Sequence, residues 1–135
     1  MGDKIPLEQV DDNRWRIPQR YSETMKVPGM VYADNELIEQ IRQDNALQQV
    51  TNVATLPGIV GHALAMPDIH WGYGFPVGGV AATNAERGVV SPGGIGFDIN
   101  CGVRLVASDL QYSQVKGQVD KLADELFATL PSGVG

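Results

Sequence analysis

Gly58-Ile-Val-Gly-His-Ala-Leu-Ala-Met-Pro-Asp68-Ile-His70-Trp-Gly-Tyr-Gly-Phe-Pro-Val-Gly-Gly-Val-Ala-Ala-Thr83 decides how this chain folds. Eleven of its 16 glycines lie between Gly58 and Gly102. A flexible linker is rich in Gly and Ser and poor in apolar residues. This stretch carries Ile59, Val60, Met66, Ile69, Trp71, Phe75 and Val77, with Ile95 further on. It therefore reads as short strands and tight turns. Strands are expected over residues 63–66, over Val77–Thr83 and over residues 101–108. In the last, both alternating faces are largely apolar, which predicts burial on both sides.

Outward from this centre the period changes. Trp15-Arg-Ile17 is a short strand, and Lys26-Val27 and Met30-Val-Tyr-Ala33 flank a Pro28-Gly29 turn. Leu37, Ile38 and Ile41 sit at helical spacing behind an N-cap at Asp34 or Asn35. Asp44 caps a second helix with Leu47, Val50 and Val53-Ala54 on one side, stopped by Leu56-Pro57-Gly58. Beyond the centre, Ser113 reads as an N-cap. Val115, Val119, Leu122 and Leu126 follow as a helical stripe that Phe127 and Leu130 widen and Pro131 ends. So broad an apolar face calls for more partner surface than the chain offers, which reads as a truncation after Gly135. The fold class is α+β, with strands around the glycine-rich region and helices near residues 35–55 and 113–130.

With 135 residues and 43% hydrophobic content, the chain matches one small domain with a core. No apolar run is long enough to span a bilayer. The opening Met-Gly-Asp-Lys-Ile-Pro lacks a signal-peptide core, and a single cysteine rules out an intrachain disulfide. A cytoplasmic protein is expected. The net charge of −6 argues, taken alone, against nucleic-acid binding. Four basic residues between Arg14 and Lys26 against one acid make the charge uneven.

Chemistry is concentrated in two places. Ser91-Pro-Gly-Gly-Ile-Gly-Phe-Asp98-Ile-Asn-Cys101-Gly-Val-Arg104 puts the only cysteine three residues after an aspartate. A thiolate is a soft metal ligand and a carboxylate a hard one, so the pair can serve zinc, iron or manganese. A buried structural cysteine beside a turn-capping Asp is the plainer alternative. In Asp68-Ile69-His70, an extended backbone points Asp68 and His70 to the same side. That carboxylate can orient the imidazole or share a metal with it. Alternatively, Asp68 bonds backbone amides while His70 packs on Trp71. His62 has no such partner and reads as structural. The glycine spacings fit neither a P-loop nor a dinucleotide fingerprint, and no lysine lies between Met30 and Lys116. A catalytic metal typically takes three protein ligands. Asp98 and Cys101 supply two, so Asp68, His70 or His62 complete the site, or chain outside this sequence does.

Three strings carry a resemblance: Asn52-Val-Ala-Thr-Leu-Pro-Gly-Ile-Val60, Met66-Pro-Asp-Ile-His-Trp-Gly-Tyr-Gly-Phe75 and Val90-Ser-Pro-Gly-Gly-Ile-Gly-Phe-Asp-Ile-Asn-Cys-Gly-Val-Arg-Leu105. They closely resemble the amino-terminal part of RtcB-type RNA-splicing ligases, and the similarity runs from about Arg14 to the end. It implies that residues 1–135 are the amino-terminal portion of a larger catalytic domain. The family joins 2′,3′-cyclic-phosphate or 3′-phosphate RNA ends to 5′-hydroxyl ends in tRNA splicing and RNA repair. It uses GTP and two manganese ions and passes through a histidine-linked GMP. The resemblance places metal ligands at Asp98 and Cys101, whose thiolate can bridge both ions. It gives Asp68 a supporting catalytic role. RNA, GTP and an archease-type activator are the implied partners, and no membrane is. The family's ligand histidines and its guanylylated histidine lie further along, and neither His62 nor His70 matches them. The chain alone is then expected to be inactive. A short non-catalytic homologue that binds metal or protein is the competing reading, and a thiol hydrolase using Cys101 is a third.

Overall fold

The computed structural model describes residues 5–96, 99, 102 and 105–130. Five strands form one sheet in the order β1 (Glu8–Asp11), β2 (Arg14–Ile17), β3 (Gly29–Tyr32), β4 (Ile59–His70) and β5 (Val77–Thr83). All neighbours are antiparallel except β3 and β4. A parallel pair cannot be joined by a tight turn. Here the crossover carries α1 (Asn35–Ile41) and α2 (Ala46–Val53). The chain is thus mixed α and β, as its pattern implied.

The crossover helices start where the sequence provides caps. Asp34 Oδ1 accepts from the amides of Glu36 and Leu37 at 3.0 and 2.8 Å. For α2, Asn45 holds the cap position without a side-chain bond, and Asp44 Oδ1 takes the Ala46 amide at 2.9 Å. Both helices bury their apolar stripe on the sheet. Ile17 and Val31 from the strands meet Ile38, Leu47 and Val50 from the helices in one core. Small strand residues set the spacing. Ala63 and Ala65 of β4 are fully buried, and a Cβ on Gly29 would stand only 3.2 Å from Val50 Cγ1. Trp15 donates its indole N–H to the Ala33 carbonyl at 3.0 Å, tying β2 to the end of β3.

Three strand expectations need correction. Lys26-Val27 is not a strand, and Pro28-Gly29 is not a turn between strands. The Lys26 amide is engaged by the Ala54 carbonyl, while Pro28 O accepts from Ala63 N, so this segment already runs beside α2 and β4. The strand expected over residues 63–66 is 12 residues long, because β4 carries Gly61 and Pro67 inside bulges instead of ending at them. Of residues 101–108, Cys101, Val103 and Arg104 lie outside the described residues. Residues 105–108 form no strand, and Leu105 and Val106 are 99% and 84% exposed. Alternating apolar residues make a strand only where a neighbouring strand accepts their hydrogen bonds.

The chain divides into two units, Met1–Asn100 and Cys101–Gly135. The first holds the sheet, its helices and α3 (Pro92–Ile95). The second holds α4 (Tyr112–Val115), a 3-10 turn (Lys116–Gln118) and α5 (Val119–Thr129). Ser113 lies inside α4 and is not its cap. Gln111 takes that place in a capping box with Gln114, whose Oε1 accepts from Gln111 N at 2.7 Å. Gly117, a poor helix former, sits in the 3-10 turn that breaks the expected single helix. The stripe of Val119, Leu122, Leu126 and Phe127 is exposed. Pro131 lies outside the described residues. Among the described residues, no helix is long and apolar enough to cross a membrane.

Candidate functional site on the glycine-rich strand pair

The β4–β5 register places Asp68. Ala65 pairs with Gly79 and His70 with Val77, so four residues of β4 face Gly78 alone. Such an excess bends the strand and re-aims its side chains. Ile69 turns into the core, while Asp68 and His70 face solvent on the other side. The alternation expected from an extended Asp-x-His is therefore present. Gly78 has φ +75°, and a Cβ there would stand 2.6 Å from Asp68 Oδ1. Only glycine combines that backbone with that approach. The carboxylate has no hydrogen-bond partner among the described residues.

The imidazole is oriented by backbone and not by the neighbouring carboxylate. His70 Nδ1 lies 2.8 Å from the Asp68 carbonyl oxygen. A carbonyl only accepts, so Nδ1 is the donor in this contact and Nε2 is the nitrogen left to face a ligand. His62 sits half-buried in the other bulge of β4, where Gly61 takes φ +72°.

Helix α2 anchors the loop that follows. Gln49, 3% exposed, donates from Nε2 to the Gly72 carbonyl at 2.6 Å and accepts from the Gly72 amide at 2.8 Å. The Trp71 amide reaches Asp44 Oδ2 at 3.3 Å. These contacts satisfy the backbone where β4 ends, as buried polar groups require. Trp71 and Tyr73 remain 56% and 72% exposed on either side of the anchored glycine. A side chain on Gly72 would run into the Phe75 carbonyl. Asp44 was read in the sequence only as a helix cap, and Gln49 was not singled out. The available signal was a polar residue between Leu47 and Val50 on an apolar helix face.

The second glycine motif meets the first within the same unit. Ser91 Oγ caps α3 by accepting from Gly94 N at 3.2 Å. A Cβ on Gly94 would stand 3.1 Å from the Phe75 ring, so glycine lets α3 lie on that aromatic. Phe75, Gly79, Val80, Ser91 and Ile95 help to line a cleft of about 310 Å³ between them. Asp98 and Cys101 follow α3 in sequence and lie outside the described residues. Among the described residues, no three His, Cys, Asp or Glu side chains cluster to hold a metal. Asp68 and His70 offer one free carboxylate and one ring nitrogen.

The basic run is largely neutralised. Arg14 pairs with Asp11 at 2.6 Å, and Glu8 takes Arg16 at 2.7 Å and also Arg20. The Arg16 hydrogen bond is the main cause holding the Glu8 carboxyl below its ordinary range, and Arg14 does the same for Asp11.

Comparison with known proteins adds a family match and three relatives. The family model described as tRNA-splicing ligase RtcB matches residues 49–135. A tRNA-splicing ligase RtcB of Thermococcus kodakarensis is 52% identical over 135 residues, all of this chain and 28% of the relative. The protein of the same name from Archaeoglobus fulgidus is 52% identical over 129 residues, covering 96% of this chain and 27% of its own length. That from Pyrobaculum aerophilum is 47% identical over 131 residues, with 97% and 27% covered. The chain thus spans little more than a quarter of the length of these curated relatives.

Proposed function

The chain belongs to the RtcB family of tRNA-splicing ligases, and from that premise we propose that it forms the amino-terminal portion of an RNA ligase. The enzyme joins RNA ends bearing a 2′,3′-cyclic phosphate or 3′-phosphate to 5′-hydroxyl ends, with GTP and manganese. The observation that carries this reading is the roughly half identity along the whole chain to relatives named for that activity.

In this reading Asp98 and Cys101 would hold manganese, one supplying a hard carboxylate and the other a soft thiolate. The bound metal supplies Lewis-acid polarisation of phosphoryl oxygens. Both residues follow α3 in sequence, and the capped turn of α3 packs on Phe75. Asp68 accepts a hydrogen bond from an RNA hydroxyl through its unpartnered carboxylate and orients it. His70, with Nδ1 occupied, offers Nε2 on the same side. Gln49 is a positioning residue that acts through Gly72. RNA and GTP are the substrates, an archease-type protein the activator, and the cytoplasm the site of action.

The test is ligation by the intact protein, with manganese and GTP, of paired RNA ends. Cys101→Ala should abolish both manganese binding and joining. Cys101→Ser should do little better, because a neutral hydroxyl replaces a thiolate. Near-normal joining by either variant sinks the assignment.

A further inference from the structure

A second cleft lies away from the glycine-rich strands, between the loop after the 3-10 turn Gln19–Tyr21 and helix α2. Its volume is about 440 Å³. The walls are Tyr21, Ser22 and Thr24 on one side and Gln48, Thr51, Asn52 and Thr55 on the other. Among the described residues, no charged and no aliphatic side chain lines it. The loop is held in place from both ends: Gln19 Nε2 donates to Met25 O at 3.1 Å, and Lys26 N to Ala54 O at 2.9 Å.

Most of the lining satisfies itself. Ser22 and Thr24 share a hydrogen bond of 2.8 Å between their hydroxyls. Gln48 Nε2 donates to Thr51 Oγ1 and Asn52 Oδ1 at 2.9 and 3.2 Å, and Thr51 and Thr55 donate to main-chain carbonyls. What remains is the Tyr21 hydroxyl, the Asn52 amide nitrogen and Gln48 Oε1, which have no partner among the described residues. An apolar ligand would leave these polar groups unpaired, and an anion would need a cation in the wall. A neutral, hydroxylated ligand meets donors, acceptors and one aromatic ring. On a chain that acts on RNA, that ligand is the ribose edge, whose 2′-hydroxyl both donates and accepts.

We infer that this cleft holds the ribose edge of the RNA strand, with Tyr21 and Asn52 bonding its 2′-hydroxyl. The inference rests on the RNA-ligase reading. Its test is equilibrium binding by the intact protein of one single-stranded RNA and of the DNA with the same sequence. The double variant Tyr21→Phe, Asn52→Ala should lose about tenfold in RNA affinity, with DNA affinity unchanged. A thermal midpoint near that of the wild type accompanies this result. Unchanged RNA affinity, or an equal loss on RNA and DNA, overturns the assignment. End-joining by the wild type separates the two ideas. If it joins RNA ends while the double variant binds RNA normally, the cleft assignment fails and the ligase reading stands.

Discussion

Asp68 is where the sequence and the structure speak most directly to each other. The carboxylate stands on a bulge of β4, against a glycine that can accept it, with no bonding partner among the described residues. A group so placed contributes little to folding, since exposed substitutions usually stay within about 0.5 kcal/mol. Asp68→Ala in the intact protein should cut joining by about a hundredfold, the loss expected when a positioning contact is removed. The thermal midpoint should move by no more than a few degrees. A large stability loss with unchanged turnover would make Asp68 a structural cap. The two left-handed glycines of the strand pair give a sharper contrast. Gly61 and Gly78 have φ +72° and +75°, so alanine at either costs about 1–2 kcal/mol. A Cβ on Gly61 meets nothing within 4 Å, whereas on Gly78 it meets Asp68. Gly61→Ala should lower stability alone, and Gly78→Ala should lower stability and joining together. Equal activities in the two variants would contradict the role given to the bulge.

Among the elements, β4 shows what a sequence discloses and what it hides. Val77–Thr83 was legible with its bounds because Pro76 and the apolar run mark them. The crossover helices were legible from their period and their aspartate caps. β4 was read as four residues because Gly61 and Pro67 are breakers in isolation, yet both sit where the ladder is already interrupted. Alternation misled in the opposite direction over residues 105–108, the described part of the third expected strand, since a period-two pattern says nothing about whether a partner strand exists. Neither the partnership of Gln49 with Gly72 nor the contact between the two glycine motifs can be found without the fold. Both join residues distant in sequence. Gln49→Leu strands an amide and a carbonyl of Gly72, so about 2–4 kcal/mol of stability should be lost in urea unfolding. A loss under about 0.5 kcal/mol would show that solvent replaces the side chain. The β1–β2 pair gives a pH test. Arg16 depresses the Glu8 carboxyl in the folded state. Its contribution is therefore present above the unfolded value and is lost as pH falls through the folded one. The gap in thermal midpoint between wild type and Glu8→Gln should be small at neutral pH, because the group is exposed, and should close on acidification. A gap that widens in acid would contradict the pairing.

At the scale of the whole molecule, the net charge is −6, and Arg14, Arg16 and Arg20 are paired. The four arginines of the sheet unit's first half are engaged, three with carboxylates of the β1–β2 pair and Arg42 with Glu39 and the Trp15 ring. Long-range attraction of RNA by this chain is accordingly weak. The catalytic claim rests on Asp98 and Cys101, to which sequence and family point. The 135 residues produced alone should stay unlabelled by GTP and manganese, because neither His62 nor His70 stands where the resemblance puts the attacking histidine. An acid-labile GMP adduct on this chain, lost with His70→Ala, would overturn that. The most direct measurement is side-by-side joining of a 2′,3′-cyclic-phosphate RNA end to a 5′-hydroxyl end by the intact wild type and by Cys101→Ala, with manganese and GTP. The account predicts joined RNA from the wild type and none from the variant. Joining by Cys101→Ala at near the wild-type rate would contradict it.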